Sequence, residues 1–316
     1  MQSYDGILCI FYLLQIIITV FGNVLLLYLY SFNLITSQKI RPIGVIVINL
    51  AFSHIMMILF RAVPSTIQVC IQKIFLNDIE CKIIIYLQRV SRGLSLCNTC
   101  LLSIFQAIAI SSSSPKWAQL KARAPKWALP SCVFIWVLNL LTDVVVPLNV
   151  SGPRNDTMHN LTRNLGYCYI DWHAVSVSKL VMLKTFNDAV FLGIMAITSA
   201  YMVLVLFRHH WQVQHLHNTR LNPVASPETK ATKVILLLMI IFLCFYSVAS
   251  IFIIVLENSK DTQEWMINIP VILTSSYSTI SPFVLISNDS QIFNCYVFKR
   301  LKNSHSHSLR SQNKLI

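Results

Sequence analysis

Seven stretches of apolar residues alternate with short polar segments along the chain. They cover residues 7–30, 43–63, 83–110, 127–148, 180–207, 234–256 and 266–288. The apolar core of a lipid bilayer is about 30 Å thick and needs about 20 residues of helix, which each stretch supplies. Only helices and closed barrels satisfy their backbone hydrogen bonds in lipid, and barrel strands are about half as long as these stretches. The pattern therefore predicts an all-α membrane protein, a bundle of seven transmembrane helices.

The composition leaves little sequence for a water-soluble domain. Of the 316 residues, 55% are hydrophobic and 12% are charged, whereas a soluble globular chain is about 25% charged. We therefore expect one seven-helix domain over residues 1–316, with a basic cytoplasmic tail at 289–316. The first stretch lacks the basic segment that precedes the core of a signal peptide, so it is interpreted as the first membrane helix.

The polar segments differ in charge between the two sides of the predicted bundle. The segments after the first, third, fifth and seventh stretches contain 15 of the 25 Lys and Arg residues, and their acids are Glu228 and Asp289. Because cytoplasmic segments are enriched in Lys and Arg, the N-terminus is predicted outside and the C-terminus inside. The net charge of +13 is then a signal of topology and of contact with membrane lipid, and nucleic acid is not an expected partner.

The segment between the fourth and fifth stretches has the chemistry of an extracellular loop. Asn149, Asn155 and Asn160 each begin an Asn-x-Ser/Thr triplet, which is the acceptor sequence for glycosylation. Cys81 and Cys168 lie on the same predicted side, where a disulfide persists, although two free thiols are the alternative.

The sequence contains no catalytic constellation. It has no Gly-rich phosphate loop, no His-Glu-x-x-His pair and no nucleophile elbow. Cys97 and Cys100 lie close together in the third stretch without a His pair or an acidic residue nearby, which favours packing over metal binding. We therefore expect no enzyme activity, no cofactor and no metal.

Three blocks of sequence carry a resemblance to a known family. They comprise, in chain order, residues 89–111 with 117–125, residues 208–215 with 226–232, and residues 281–287 followed by Asp289. With these blocks the whole chain resembles the vomeronasal type-1 receptors, a rhodopsin-like branch of the G-protein-coupled receptors.

The resemblance implies a chemosensory, pheromone-type receptor in the plasma membrane. Such a receptor binds a small extracellular chemosignal and activates a heterotrimeric G protein of the Gi/Go type. The resemblance also implies a disulfide between Cys81 and Cys168. A bitter-taste-like receptor is one alternative, and a small membrane transporter is another. The uninterrupted apolar stretches and the lack of internal repeats favour a receptor over a transporter.

The chain departs from the general motifs of rhodopsin-like receptors at several places. His54 stands where these receptors usually have Asp, Gln106 replaces the Arg of their Asp-Arg-Tyr motif, and Ser281 precedes Pro282 in place of Asn. The usual ionic switch and sodium pocket are therefore not assumed. His54 in particular has no explanation at the level of sequence.

Four polar residues are candidate ligand contacts, namely Gln88, Arg92, Lys184 and Tyr277. Arg92 and Lys184 are cations at membrane depth, where a charge is costly and commonly has a function. They are expected to face a ligand from the third and fifth helices, and an acidic ligand would suit them.

Structural roles are the alternative for these charges. Arg89 and Arg92 could each pair with Asp143 or Asp188 and hold helices in register. Lys184 and Asp188 are four residues apart and could pair along one face of a helix. Asp143 could instead face the lipid headgroups.

Five residues are candidate contacts for the G protein, and they share a position near the predicted cytoplasmic helix ends. They are Gln106, Lys121, Arg123, Lys230 and Lys233. Four of them are basic, and all of them lie next to helix ends that must move when such a receptor is activated.

Overall fold

The chain folds into a bundle of long helices. A computed structural model describes residues 2–36, 42–71, 76–111, 114–152, 162–164, 168–171, 175–216, 227–258 and 264–288. The helices are α1 (Gln2–Thr36), α2 (Pro42–Met57), α3 (Val63–Ile71), α4 (Asp78–Ile110), α5 (Pro115–Thr142), α6 (Val175–Leu216), α7 (Pro227–Asn258) and α8 (Glu264–Asn288). A π-helical turn, Ile58–Ala62, joins α2 to α3, so that these elements form one span. The seven spans are long and apolar enough to cross a membrane.

Several helix boundaries differ from those predicted. Most helices extend beyond the apolar stretches, because a helix continues into water after it leaves the lipid. The fourth helix is predicted at 127–148, whereas α5 begins at Pro115 and ends at Thr142, and the fourth span as a whole extends to Asn149. Proline at the first position of a helix favours initiation, and a short 3₁₀ turn around Pro147 replaces the predicted last turn. The second span is not a regular α-helix throughout, because the π-helical turn interrupts it.

A small antiparallel sheet covers one end of the bundle, in addition to the predicted helices. Its strands are β1 (Val150–Ser151), β2 (Thr162–Asn164) and β3 (Tyr169–Asp171), in the order β1-β3-β2. Val150 pairs with Ile170, and Ile170 pairs with Arg163. Asn149 directly precedes β1, whereas Asn155 and Asn160 lie outside the described residues.

Two disulfides lie at this end, which is called the disulfide end below. One joins Cys81 in the first turn of α4 to Cys168 beside β3, and the other joins Cys9 in α1 to Cys70 in α3. The sequence analysis did not anticipate the second bond. The start of α4 is also fixed by its own sequence, because the carboxylate of Glu80 accepts from the backbone N–H of Asn77 in a capping box.

The third span, α4, lies at the centre of the bundle. Its apolar side chains Leu94 and Leu102 are fully buried, as are Leu50 of α2, Met195 of α6 and Leu238 of α7. Large apolar side chains on other helices face outward instead, among them Phe134, Phe186, Ile197 and Ile251. An outward-facing apolar surface of this extent suits contact with lipid. Buried polar residues such as Asp143 and His54 are therefore enclosed by helices.

Candidate ligand site within the helix bundle

A single carboxylate holds two cations between the third, fourth and fifth spans. Asp143 directly follows α5 and is fully buried. Its Oδ1 lies 2.9 Å from Arg89 Nε, and its Oδ2 lies 3.0 Å from Lys184 Nζ. Lys184 Nζ also donates to Asn139 Oδ1 at 3.0 Å. Arg89 therefore pairs with Asp143, which is one of the structural pairings considered for it. The alternative that Asp143 faces the lipid headgroups is wrong.

Gly93 in α4 provides the space for this network. A Cβ atom at Gly93 would overlap Asn139 Oδ1 and would lie 2.6 Å from Lys184 Nζ. Glycine thus allows the amide and the ammonium group to approach the backbone of the third span. Burying a paired charge costs less free energy than burying an isolated one. The space at Gly93 therefore lowers the cost of burying the ammonium group, because it lets Lys184 reach its partners.

A second ion pair joins the third, fifth and sixth spans. Arg92 Nη2 lies 3.5 Å from Asp188 Oδ2, and the same carboxylate oxygen accepts from the Tyr246 hydroxyl at 2.7 Å. The guanidinium carbon of Arg92 lies 4.9 Å from the centre of the Tyr246 ring, which is a cation–π distance. The alternative pairing of Lys184 with Asp188 along one helix is not formed. Instead, the carboxylates of Asp143 and Asp188 each form an ion pair with an arginine of α4, because both acids point toward that central helix.

A small cavity lies beside this second ion pair. Its lining comes from the second, third, sixth and seventh spans and consists of Met57, Arg92, Ser95, Phe242, Phe245, Tyr246, Thr274 and Tyr277. Of the candidate ligand contacts, Arg92 and Tyr277 line this cavity. Lys184 lies outside the lining with its ammonium group held by Asp143, and Gln88 also lies outside it, half-buried on α4.

His54 is the centre of a buried hydrogen-bond network that borders the cavity. Its Nδ1 lies 3.2 Å from Asn23 Oδ1 and 3.3 Å from Ser281 Oγ, and its Nε2 lies 3.1 Å from Ser95 Oγ. The Tyr277 ring meets the imidazole edge-on, with the ring centres 5.4 Å apart. One side chain thus connects the first, second, third and seventh spans.

Neither the role of His54 nor the buried position of Arg61 is predicted from the sequence. Arg61 lies in the π-helical turn of the second span and is buried, since 7% of its surface is exposed. Both residues carried a usable signal, because a histidine or an arginine inside a long apolar stretch is uncommon and normally faces the interior of a bundle.

The comparison with known families decides which class of helical membrane protein this is. The chain matches the vomeronasal organ pheromone receptor family over residues 7–298. The chain belongs to this family, that of the vomeronasal type-1 receptors. This assignment argues against the two alternatives, a bitter-taste-like receptor and a transporter. The protein is a multi-pass chemosensory receptor of the cell membrane.

Individual relatives agree with the family match. The chain is 33% identical to human vomeronasal type-1 receptor 4 over 288 residues, which cover 90% of this chain and 96% of the relative. It is 36% identical to gorilla vomeronasal type-1 receptor 1 over 281 residues, covering 89% and 80%. It is 30% identical to zebrafish olfactory receptor class A-like protein 1 over 283 residues, covering 89% of each chain.

At the end of the bundle opposite the disulfides, this vomeronasal-type receptor has an uncharged link between the third and sixth spans. Gln106 Nε2 of α4 donates to Thr232 Oγ1 of α7 at 3.3 Å, and both side chains are buried. Gln106 stands where the rhodopsin-like receptors that this chain resembles have a switch arginine. The link between the two helices at this position is therefore a hydrogen bond between uncharged side chains.

The other candidate G-protein contacts also lie at this opposite end, but on helices rather than in loops. Lys121 and Arg123 belong to α5 of the receptor, and Lys230 and Lys233 belong to α7. Arg123 and Lys233 are exposed, whereas Lys121 Nζ donates to the backbone oxygen of Ser111 at 2.8 Å.

Proposed function

We propose that this receptor binds a small chemosignal in the cavity beside Arg92 and Tyr277 and activates a Gi/Go-type heterotrimer at the opposite end. The observation that carries the proposal is that the cavity is shared by the third, sixth and seventh spans. A ligand there contacts helices whose relative positions also determine the geometry around Gln106 and Thr232.

The proposed mechanism is a shift between two populations. A ligand changes a conformational equilibrium only when it binds one state more tightly than the other. Tyr246 of the sixth span is linked to Arg92 of the third span through Asp188 of the fifth. Contact of the ligand with Arg92 and Tyr246 would therefore favour a different arrangement of these three helices. The hydrogen bond from Gln106 to Thr232 would break in that state and open a surface for the G protein.

The proposal includes an orientation and a single receptor domain over residues 1–316. The disulfide end with Asn149 would be extracellular, and Lys121, Arg123, Lys230, Lys233 and the 289–316 tail would be cytoplasmic. Basic residues next to mobile helix ends suit contact with the G protein and with anionic lipid headgroups.

Glycosylation tests this orientation. Enzymatic deglycosylation of receptor from the cell surface should increase its mobility on a gel, and replacing Asn149, Asn155 and Asn160 by Gln should remove the change. Asn288, which begins a fourth triplet at the opposite end, provides the control, because Asn288→Gln should leave the change intact. A change that depends on Asn288 would reverse the orientation.

Coupling is tested in cells that express the receptor with a cyclic AMP reporter. A library of small volatile and polar organic molecules should include compounds that lower cyclic AMP, and pertussis toxin, which inactivates Gi/Go proteins, should abolish the response. A response that persists in toxin, or that appears as an ionic current without a G protein, would contradict the proposed coupling.

A further inference from the structure

The part of the second span at the disulfide end, α3, is set off from α2 by the π-helical turn. The backbone N–H of Val63 bonds to the oxygen of Ile58, five residues earlier, and the next residue, Pro64, has no N–H to donate. Turns of this kind and prolines are the usual places where a helix bends. The regular hydrogen bonding of α2 therefore does not continue into α3, and this junction is where α3 would tilt.

The segment α3 is held in the bundle mainly through α1. Apart from the π-helical turn that precedes it, α3 packs chiefly on α1 among the described residues. Val69 contacts a small apolar cluster to which Leu8 and Tyr12 of α1 belong. The disulfide from Cys9 to Cys70, in the last turn of α3, adds a covalent link to this contact. The position of α3 thus depends on its attachment to one helix.

The helix α1 is itself fixed to the seventh span by hydrogen bonds along one face. The side chains that make them recur at helical spacing and are Tyr12, Gln15, Thr19 and Asn23. The Tyr12 hydroxyl donates to Asn268 Oδ1 at 3.3 Å, and Asn23 Nδ2 donates to the backbone oxygen of Ser278 at 3.0 Å. The disulfide therefore ties a segment beyond a bend to a helix that is already anchored.

The two disulfides at this end differ in how far the protein covers them. Cys81 and Cys168 are fully buried in an apolar cluster that includes Val146. Cys70 is exposed, one residue from the end of its span, and Cys9 is half-buried. Thiol–disulfide exchange requires a thiolate to reach a sulfur atom of the bond, so its rate depends on access. A thiol in solution can reach the exposed bond in the folded receptor, whereas the buried bond becomes accessible only when this end opens.

We propose that the Cys9–Cys70 bond is a redox switch, which an external thiol opens in the folded receptor while the Cys81–Cys168 bond stays closed. The thiolate of the reductant attacks Cys70 Sγ and forms a mixed disulfide, and Cys9 leaves as a thiolate that takes up a proton. A second thiol molecule then attacks the mixed disulfide and releases Cys70 as a thiol. The protein bond is reduced by two electrons, and the two reductant molecules leave joined as their own disulfide.

The redox state of the solution would thus set how firmly the first and second spans are joined. With the bond open, α3 is held to α1 by packing alone and is free to tilt at the π-helical turn. The inference is independent of the proposed ligand cavity. It shares with the proposed function only the orientation, in which the disulfide end meets the extracellular fluid. Purified receptor exposes both ends to the solution, so the experiment below does not depend on that orientation.

The test treats purified full-length receptor in lipid nanodiscs with glutathione. Samples are taken over time, free thiols are blocked with iodoacetamide, and each cysteine is followed by mass spectrometry of its peptide. Cys9 and Cys70 should become labelled at least about tenfold faster than Cys81 and Cys168, because exchange follows access.

Release of α3 is measured on the same samples by amide hydrogen exchange. Glutathione should raise the exchange of residues 63–71 at least several-fold and leave α4 unchanged, because local opening exposes only the freed segment. Cys9→Ser should exchange fast in α3 without glutathione and should not respond to it. Cys244→Ser is the matched control, since Cys244 is a free cysteine of α7, and it should behave as the natural sequence does.

The comparison of treated and untreated natural receptor needs no variant, so the test holds even if Cys9→Ser does not fold. Three results would overturn the inference: equal labelling rates for the two disulfides, opening of the Cys9–Cys70 bond without faster exchange in α3, or free thiols at both positions before glutathione is added. None of these results bears on the proposed coupling, which is measured separately as toxin-sensitive signalling in cells.

Discussion

The backbone of Gly93 in α4 packs directly against the side-chain amide of Asn139 in α5, with no room for a methyl group between them. Lys184 Nζ approaches the same point from α6. Three spans therefore meet at a position where only glycine fits, and this contact sets the separation of the helices around the Asp143 network.

We expect Gly93→Ala to destabilise the receptor. The added methyl group must displace Asn139 or Lys184, and overpacking of this kind typically costs about 1–3 kcal/mol. The measurement is the thermal unfolding temperature of purified receptor, together with the amount at the cell surface. Gly193→Ala is the control, since nothing lies within 4 Å of a Cβ atom at Gly193. If both variants unfold at the same temperature, the packing at Gly93 is looser than described.

His54→Ala should destabilise the bundle without removing a charge pair. The change leaves Asn23 Oδ1 and Ser95 Oγ without their buried partner, and each unsatisfied group costs about 1–3 kcal/mol. His54→Asn should recover part of the loss, because an amide can bond to one of the two groups. Unfolding temperatures of the three proteins decide the point, and a His54→Ala protein as stable as the original would refute the role of the network.

Asp143→Asn should be among the most disruptive single changes. It leaves the partly exposed Arg89 and the buried Lys184 without their carboxylate, and removal of one partner from a buried pair typically costs about 3–5 kcal/mol. Adding Lys184→Met should restore part of the stability, because one uncompensated charge then disappears. Surface expression and unfolding temperature are the readouts, and a double variant that is less stable than Asp143→Asn would argue against this charge balance.

The disulfide between Cys9 and Cys70 should stabilise the contact of α1 with α3. Loss of such a cross-link typically costs about 2–4 kcal/mol. Cys9→Ser, Cys70→Ser and the double variant should therefore have the same reduced unfolding temperature. Mass spectrometry of non-reduced peptides provides the direct check, and the recovery of both residues as free thiols from surface receptor would disprove the bond.

Charge reversal at Arg123 and Lys233 should weaken coupling and spare ligand binding. Both side chains are exposed at the end opposite the disulfides, and Lys233 directly follows Thr232, which accepts from Gln106. A receptor with Arg123→Glu and Lys233→Glu should signal at least several-fold more weakly at equal surface expression, while the Kd values of the active compounds from the library stay the same. Lys179→Glu, an exposed change on α6 at the disulfide end, is the control and should signal normally.

The residues near Asp143 show why the pairing of charges could not be predicted from the sequence. Lys184 and Asp188 have the spacing of a pair on one helix, yet each takes a partner from another span. Spacing along a helix specifies which side chains share a face, but the rotation of that face toward its neighbours depends on packing at positions such as Gly93. The same holds for His54, whose partners come from three other spans.

The sequence by itself determined the number of spans and most of the residues that carry charge at membrane depth. It could do so because the cost of exposing backbone and charge to lipid acts locally, on each stretch of about 20 residues. Only the tertiary structure decided where α5 ends, which carboxylate pairs with which cation, and that Arg92 and Tyr277 share a cavity whereas Lys184 does not. These features depend on contacts between residues far apart in the chain, which come together only when the helices have packed.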